Sequence, residues 1–144
     1  MPKVTSALGF AGQAGRAIEL YKKALNARVI TKLHYSDADP KDFVCTNEAQ
    51  KDYVYYGEMV IGNQLISFGD NPEGFFDNEV SKKASAVSLL VEFDTLEELN
   101  AAYELMAEGA TILTPMTSTT YCTGYVVLVD MFGIHWSLMS GYAG

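Results

Sequence analysis

The sequence predicts an α+β fold: one domain over residues 1–144 built of two copies of a strand–helix–strand–strand–strand module, at about residues 4–69 and 85–139. Three observations carry that expectation. The order of helical periodicity and apolar alternation occurs twice along the chain. Only two clear helices accompany eight strand-like runs, too few for a doubly wound parallel sheet, in which a helix follows nearly every strand. Gly62-Asn63 separates two of those runs, a pair able to take the positive φ angles of a tight antiparallel hairpin. Two such modules side by side would bury the sheet surfaces that face the helices and let the opposite faces of a mixed sheet curl into a cup.

Each element has its own justification. Residues 4–10 read as a short strand ended by the flexible stretch Gly9-Phe10-Ala11-Gly12. Ala14, Ala17, Ile18, Tyr21 and Leu25 then recur at helical spacing, with Arg16, Glu19, Lys22 and Lys23 largely on the other faces, so residues 13–25 form an amphipathic helix that Asn26 caps. Residues 28–35 alternate as a second strand. Residues 36–52 are polar, contain Pro40 and lack a period, which predicts a loop with a helical turn in it and a candidate lid. Two Tyr-, Val- and Ile-rich runs over residues 53–68 are strands three and four, and residues 69–83 are a loop carrying Asp70, Pro72, Gly74 and an exposed Phe75-Phe76 pair suited to a subunit interface.

The second copy follows. Residues 85–93 are a strand. Thr95 and Glu98 make a capping box for a helix whose stripe is Leu96, Leu99, Tyr103 and Met106 and which Gly109 closes. Residues 110–113 are a short strand, and residues 121–129 and 134–139 are two more, joined by the turn Asp130-Met131-Phe132-Gly133. Gly124 marks a bulge near the start of the seventh strand.

Composition narrows the function. A chain this long buries about two-thirds of its unfolded surface and needs neither disulfide nor metal to hold a core. Ten basic against eighteen acidic residues leave a net charge of −8, which repels nucleic acid and anionic lipid. No apolar run reaches membrane-spanning length and the start lacks a secretory signal, so the expected location is the cytoplasm, with Cys45 and Cys122 as reduced thiols.

Several residues taken together resemble a known family. Leu8, Phe10, Gly12, Ala14, Ala17 and Leu20-Tyr21, then Glu58 ahead of an apolar strand and a Gly-bearing turn, then residues 67–70, and finally Asp130, Phe132, Gly133 and Trp136 match the pattern of the vicinal oxygen chelate superfamily. That superfamily includes glyoxalase I, bleomycin resistance proteins and extradiol dioxygenases, and the nearest likeness is its PhnB-like branch. The closing signature of that branch, Asp-Pro-Phe-Gly-x-x-Trp, is present with Met131 in place of Pro. The resemblance implies paired βαβββ modules, an open cup, the glyoxalase/bleomycin resistance fold and a homodimer. In metal-dependent members, His, Gln or Glu side chains from several strands hold a divalent ion that polarises vicinal oxygens.

Carried over residue by residue, the ligand positions fall on Thr5 or Ser6 in the first strand, Tyr56 in the third and Ser137 in the last. None is a customary ligand at neutral pH, since a phenol titrates near 10. Period-two alternation puts Val54 and Glu58 on the face of Tyr56, and His135 and Met139 on the face of Ser137. Glu58 and His135 are therefore candidates for an acid/base pair, or else a structural or solvated pair. Ile134, Trp136 and Leu138 alternate away toward the core. Tyr53, Tyr55, Tyr56, Tyr121 and Tyr125 offer flat walls with hydroxyl handles, or are simply strand residues. Tyr121, where the branch often carries Trp, is the leading rim candidate for ligand contact, and His34 reads as a surface or dimer-edge residue.

The expected function is that of a PhnB-like protein which binds or sequesters a small molecule in its cup as a homodimer, with Tyr56, Glu58, Tyr121, His135 and Ser137 as ligand-binding candidates. No metal ion and no other cofactor is expected, and the reading leans away from an enzyme. The alternatives are a metal-dependent lyase, isomerase or dioxygenase of the superfamily with an atypical site, and a dimer scaffold with a filled cup. Members of this branch sometimes carry a demethylubiquinone methyltransferase label, but the chain lacks the Gly-rich strand-to-helix turn of a Rossmann-type unit with which such enzymes usually hold their methyl donor.

Overall fold

The computed structural model describes residues 2–42, 44–71 and 85–141, and the Phe75-Phe76 pair lies outside them. The chain divides into two compact units, Met1–Phe75 and Phe76–Gly144. The first holds β1 (Ser6–Phe10), α1 (Ala14–Leu25), β2 (Arg28–His34), single 3-10 turns at Tyr35–Asp37 and Glu48–Gln50, β3 (Val54–Ile61) and β4 (Gln64–Asp70). The second holds β5 (Leu89–Phe93), α2 (Leu96–Met106), β6 (Thr111–Thr117), β7 (Gly124–Val129) and β8 (His135–Ser140). Their four-stranded sheets have the orders β1-β4-β3-β2 and β5-β8-β7-β6.

The predicted duplication is visible in the hydrogen-bond register. In the first sheet the sole parallel pair runs from Ser6 opposite Ile66 to Phe10 opposite Asp70. In the second it runs from Leu89 opposite Trp136 to Phe93 opposite Ser140. All other pairs are antiparallel, so both sheets are mixed and the fold is α+β.

Each helix covers one face of its own sheet because its apolar stripe needs burial. Ala14, Ala17, Ile18, Tyr21, Ala24 and Leu25 of α1 are buried, as are Ile66 and Phe68 of β4 and Met59 and Ile61 of β3. In the second unit Leu99, Ala102 and Met106 of α2 are buried, with Trp136, Leu138, Leu128 and Val126. Asn26 ends α1 in the left-handed region at φ 56, as expected of a C-terminal cap. At the start of α2 the Thr95 hydroxyl accepts from the Glu98 N–H at 3.1 Å and donates to the Glu98 carboxylate at 3.2 Å.

The first helix begins differently. Gln13, ahead of it, makes no side-chain cap. Instead the carboxylate of Asp70, at the end of β4, accepts from the N–H groups of Gly12 (2.8 Å) and Ala14 (3.0 Å) through one oxygen and from Val54 (2.8 Å) through the other. A charge brought from 56 residues away thus meets the positive end of the α1 dipole. In the second unit Asp130 instead closes the turn between β7 and β8: it accepts from the N–H groups of Phe132 (2.8 Å) and Ile134 (3.0 Å) and from the Trp136 indole (2.9 Å). Both carboxylates are buried.

Five local expectations are corrected. Asp70 belongs to a strand and the core, not to a loop. Tyr35 leaves the second strand for a 3-10 turn, and its hydroxyl donates to the Asp70 carbonyl at 2.7 Å. Only Gly62 takes positive φ in the hairpin turn, which a two-residue turn with glycine first permits. The sixth strand runs on to Thr117 through Pro115, tolerated because β6 is an edge. Gly124 pairs regularly with Ser140; a Cβ there would stand 2.7 Å from Leu96 and 2.8 Å from Leu99, so it is close helix–sheet packing that requires glycine. The register shifts lie between β2 and β3 and between β6 and β7.

Candidate functional site

Pairing register determines what each sheet presents on the side away from its helix. In the first sheet Ser67 lies beside Ala7 and opposite Glu58, and Glu58 lies opposite Thr31. A row Ala7, Ser67, Glu58, Thr31 therefore crosses all four strands. In the second sheet the matching row is Leu90, Ser137, Val127, Thr114. Two rows of like construction differ at one chemically decisive place, where the first has a carboxylate and the second an isopropyl group.

Thr5 and Ser6, the two candidates for the first ligand position that the resemblance implies, fall on opposite faces of the sheet. Ser6 pairs with buried Ile66 and so shares the helix face, whereas Thr5, just before β1, has the parity of Ala7. Tyr56 lies opposite Leu33 and is 43% exposed. Its hydroxyl donates to Glu58 Oε2 at 3.0 Å, and this bond, followed by partial burial and the Glu58 charge, raises the phenol's pKa above its ordinary 10.0. Val54, expected on the same face, is 1% exposed: the register shift between Leu33 and His34 inserts Tyr55 as an extra residue and breaks the alternation.

In the second unit Ser137 is 8% exposed, and its hydroxyl shares a 2.8 Å hydrogen bond with that of Ser88. His135 lies opposite Val129 on the helix-free side and is half-buried. Tyr121 is 44% exposed and meets Tyr125 edge-on, with ring centroids 6.4 Å apart at 75°. Trp136 is fully buried and tied to Asp130, a core residue as its alternation indicates.

Of the predicted site residues, the structure brings Tyr56 to Glu58 and Tyr121 to Tyr125. Glu58 belongs to the first unit and His135 to the second. The other tyrosines do structural work: Tyr35 packs edge-on against Tyr53 (5.9 Å) and Tyr55 (6.0 Å). Burial first, and the Asp70 charge second, push its phenol pKa up. The ends of the 36–52 segment are held together there. The Ser36 N–H reaches the Lys51 carbonyl at 3.2 Å, and His34 Nδ1 lies 3.0 Å from the Asp52 carbonyl.

Sequence reasoning passed over Thr31 and Ser67 as neighbours of Glu58. The signal was available for Ser67: a two-residue turn that pairs Ile61 with Gln64 necessarily pairs Glu58 with Ser67. Thr31 was hidden by the irregular register of β2 on β3.

A divalent cation suits this donor set poorly. The positions that the resemblance implies for one offer neutral hydroxyls, and the phenol among them is made harder to ionise by the carboxylate beside it. Among the described residues no three His, Cys, Asp or Glu side chains stand together as a metal's ligands would. No helix among them is long and apolar enough to cross a membrane.

Comparison with known proteins adds three findings. A family model described as 3-demethylubiquinone-9 3-methyltransferase matches residues 2–139. No curated protein matches the chain in sequence. Among solved structures, the PhnB protein of Bacillus cereus, described with the same methyltransferase name, is 22% identical over 97% of this chain and 100% of its own, with a TM-score of 0.77. A protein of Pseudomonas aeruginosa is 19% identical over 98% of both chains, with a TM-score of 0.78. A glyoxylase/bleomycin resistance protein/dioxygenase domain of Frankia sp. is 15% identical over 100% of this chain and 95% of its own, with a TM-score of 0.63.

Proposed function

The chain belongs to the family described as 3-demethylubiquinone-9 3-methyltransferase, the PhnB-like branch of the glyoxalase/bleomycin resistance/dioxygenase superfamily; from that premise we propose that it binds a small amphipathic or aromatic molecule without the superfamily's metal ion. The helix-free face of the first sheet offers Tyr56 and Glu58 for contact, that of the second offers His135 and Ser137, and Tyr121 adds an aromatic ring just ahead of β7. One observation carries this reading. Where metal ligands would stand, Tyr56 and Ser137 are hydroxyl-bearing residues, each hydrogen-bonded to a neighbour in its own unit. Such surfaces suit a ligand that wants flat apolar contact and a few hydroxyl partners. We propose further a cytoplasmic homodimer, the assembly that the family resemblance implies.

The methyl transfer in the family's description finds no support in the first unit. The turn from β1 into α1 contains Gly12, but the N–H groups of Gly12 and Ala14 already bond the Asp70 carboxylate. The helix N-terminus that binds an anionic cofactor in a dinucleotide fold is thereby filled by the chain itself. A fold in any case supplies no activity of its own.

The test is calorimetric titration against a metabolite library, beside elemental analysis of protein purified without chelator. A saturable ligand and no stoichiometric metal are expected. A stoichiometric transition metal that is lost in Glu58→Gln would replace this reading with the metal-dependent lyase, isomerase or dioxygenase.

A further inference from the structure

Resting on the reading that the helix-free face of the first sheet binds a small molecule, we infer that Glu58 is the specificity residue there and selects a ligand carrying a protonated amine. Its carboxylate is half-buried in the middle of the row Ala7, Ser67, Glu58, Thr31. A carboxylate drawn partly out of water requires donors or a countercharge. Among the described residues it has one neutral donor, the Tyr56 hydroxyl on Oε2. The ion pairs found among the described residues, Lys22 with Glu19 and Lys51 with Glu48, lie elsewhere. Arg28 stands opposite Val60 on the same face, yet it is exposed and forms no ion pair with Glu58.

The flanking residues sharpen the chemistry. Ser67 and Thr31 sit on either side of Glu58, and hydroxyls accept hydrogen bonds as well as donate them. The Ser67 proton is directed, at a long 3.5 Å, to the Ser6 carbonyl, which leaves its oxygen lone pairs for a ligand. An ammonium group brings a positive charge and N–H donors to Glu58 Oε1, and the hydroxyl one strand away on either side, Ser67 or Thr31, can accept one further N–H. An anionic ligand would meet repulsion from Glu58 and from the overall charge of −8, which steers cations toward the protein instead. The second sheet, with Val127 at the corresponding place, lacks this preference.

Three probes of one shape separate the possibilities: benzylammonium, benzyl alcohol and benzoate, each titrated into the full chain and followed by the NMR amide shifts of Thr31, Glu58 and Ser67. Benzylammonium is expected to bind most tightly, to weaken as salt is raised, and to lose about tenfold or more in affinity in Glu58→Gln while benzyl alcohol is unaffected, a change of about 1.4 kcal/mol. The salt titration on the unaltered chain keeps the test open should that variant fold poorly. Equal binding of all three probes, insensitive to salt and to Glu58→Gln, would overturn the selection for amines while leaving the small-molecule reading intact. No shift at this face with any probe would overturn both.

Discussion

Replacing Asp70 by alanine should destabilise the protein by about 3–5 kcal/mol. The side chain accepts three backbone hydrogen bonds, and two of their donors, Ala14 and Val54, belong to residues 0% and 1% exposed. An N–H group left without a partner in a buried place costs about 1–3 kcal/mol, so two of them set the scale. Gly12 is part-buried and regains some of its bond from water. The favourable charge at the start of α1 is lost as well, worth a further ~0.3–1 kcal/mol. In equilibrium urea unfolding followed by far-ultraviolet circular dichroism, with a slope near 2 kcal/mol per molar, the midpoint should fall by about 2 M. The amides of Gly12, Ala14 and Val54 should also exchange with solvent by roughly three orders of magnitude faster, since each ~1.4 kcal/mol is tenfold. Asp70→Asn keeps one acceptor oxygen and should cost about half as much. A midpoint for Asp70→Ala within a few tenths of a molar of the unaltered chain would refute the claim that this carboxylate ties β4, β3 and α1 together.

Three further outcomes follow from the packing. Gly57→Ala would drive a Cβ into the ring of Phe68 on the neighbouring strand and should cost about 1–3 kcal/mol in thermal or urea unfolding, whereas Gly15→Ala, where nothing stands within 4 Å of the new methyl, should stabilise α1 by about 0.5–1 kcal/mol. Trp136→Phe removes the indole N–H that Asp130 accepts at 2.9 Å and should cost about 2–4 kcal/mol by the same dichroism assay. The third concerns alkaline pH. Burial and the Asp70 charge hold the Tyr35 phenol above 10.0, so the folded chain keeps that proton more tightly than the unfolded one. The resulting stability is complete below the unfolded value and vanishes as pH climbs through the folded one. Urea midpoints at about pH 8 and about pH 11 should therefore drop less in Tyr35→Phe than in the unaltered chain; an equal drop would contradict that role.

Much of the fold was legible because its elements are locally self-consistent. The α1 stripe, the Asn26 cap, the Gly62-Asn63 turn and the Thr95 cap each follow from residues within a few positions of one another. Misreadings arose where a distant partner decides the conformation. Asp70 looks like a loop residue until its period-two relation to Ile66 and Phe68 places it on the buried face, where the N–H groups it accepts come from elsewhere in the unit. Val54 and the end of β2 were misplaced because an inserted strand residue leaves no mark in the pattern. The candidate site was half legible. Tyr56 and Glu58 were paired by alternation, and the structure joins them; the Ser88 partner of Ser137 was not foreseen, since Ser88 lies outside β5 and is brought to Ser137 by parallel pairing across 49 residues.

The central claim is ligand binding without a chelated ion. The most direct measurement is metal analysis of the chain produced in medium containing Zn, Mn, Ni and Fe, followed by titration of its ligand before and after exhaustive treatment with a chelator. The account predicts metal well below one ion per chain and the same ligand affinity in both titrations. One tightly held ion per chain, whose removal abolishes binding, would contradict it.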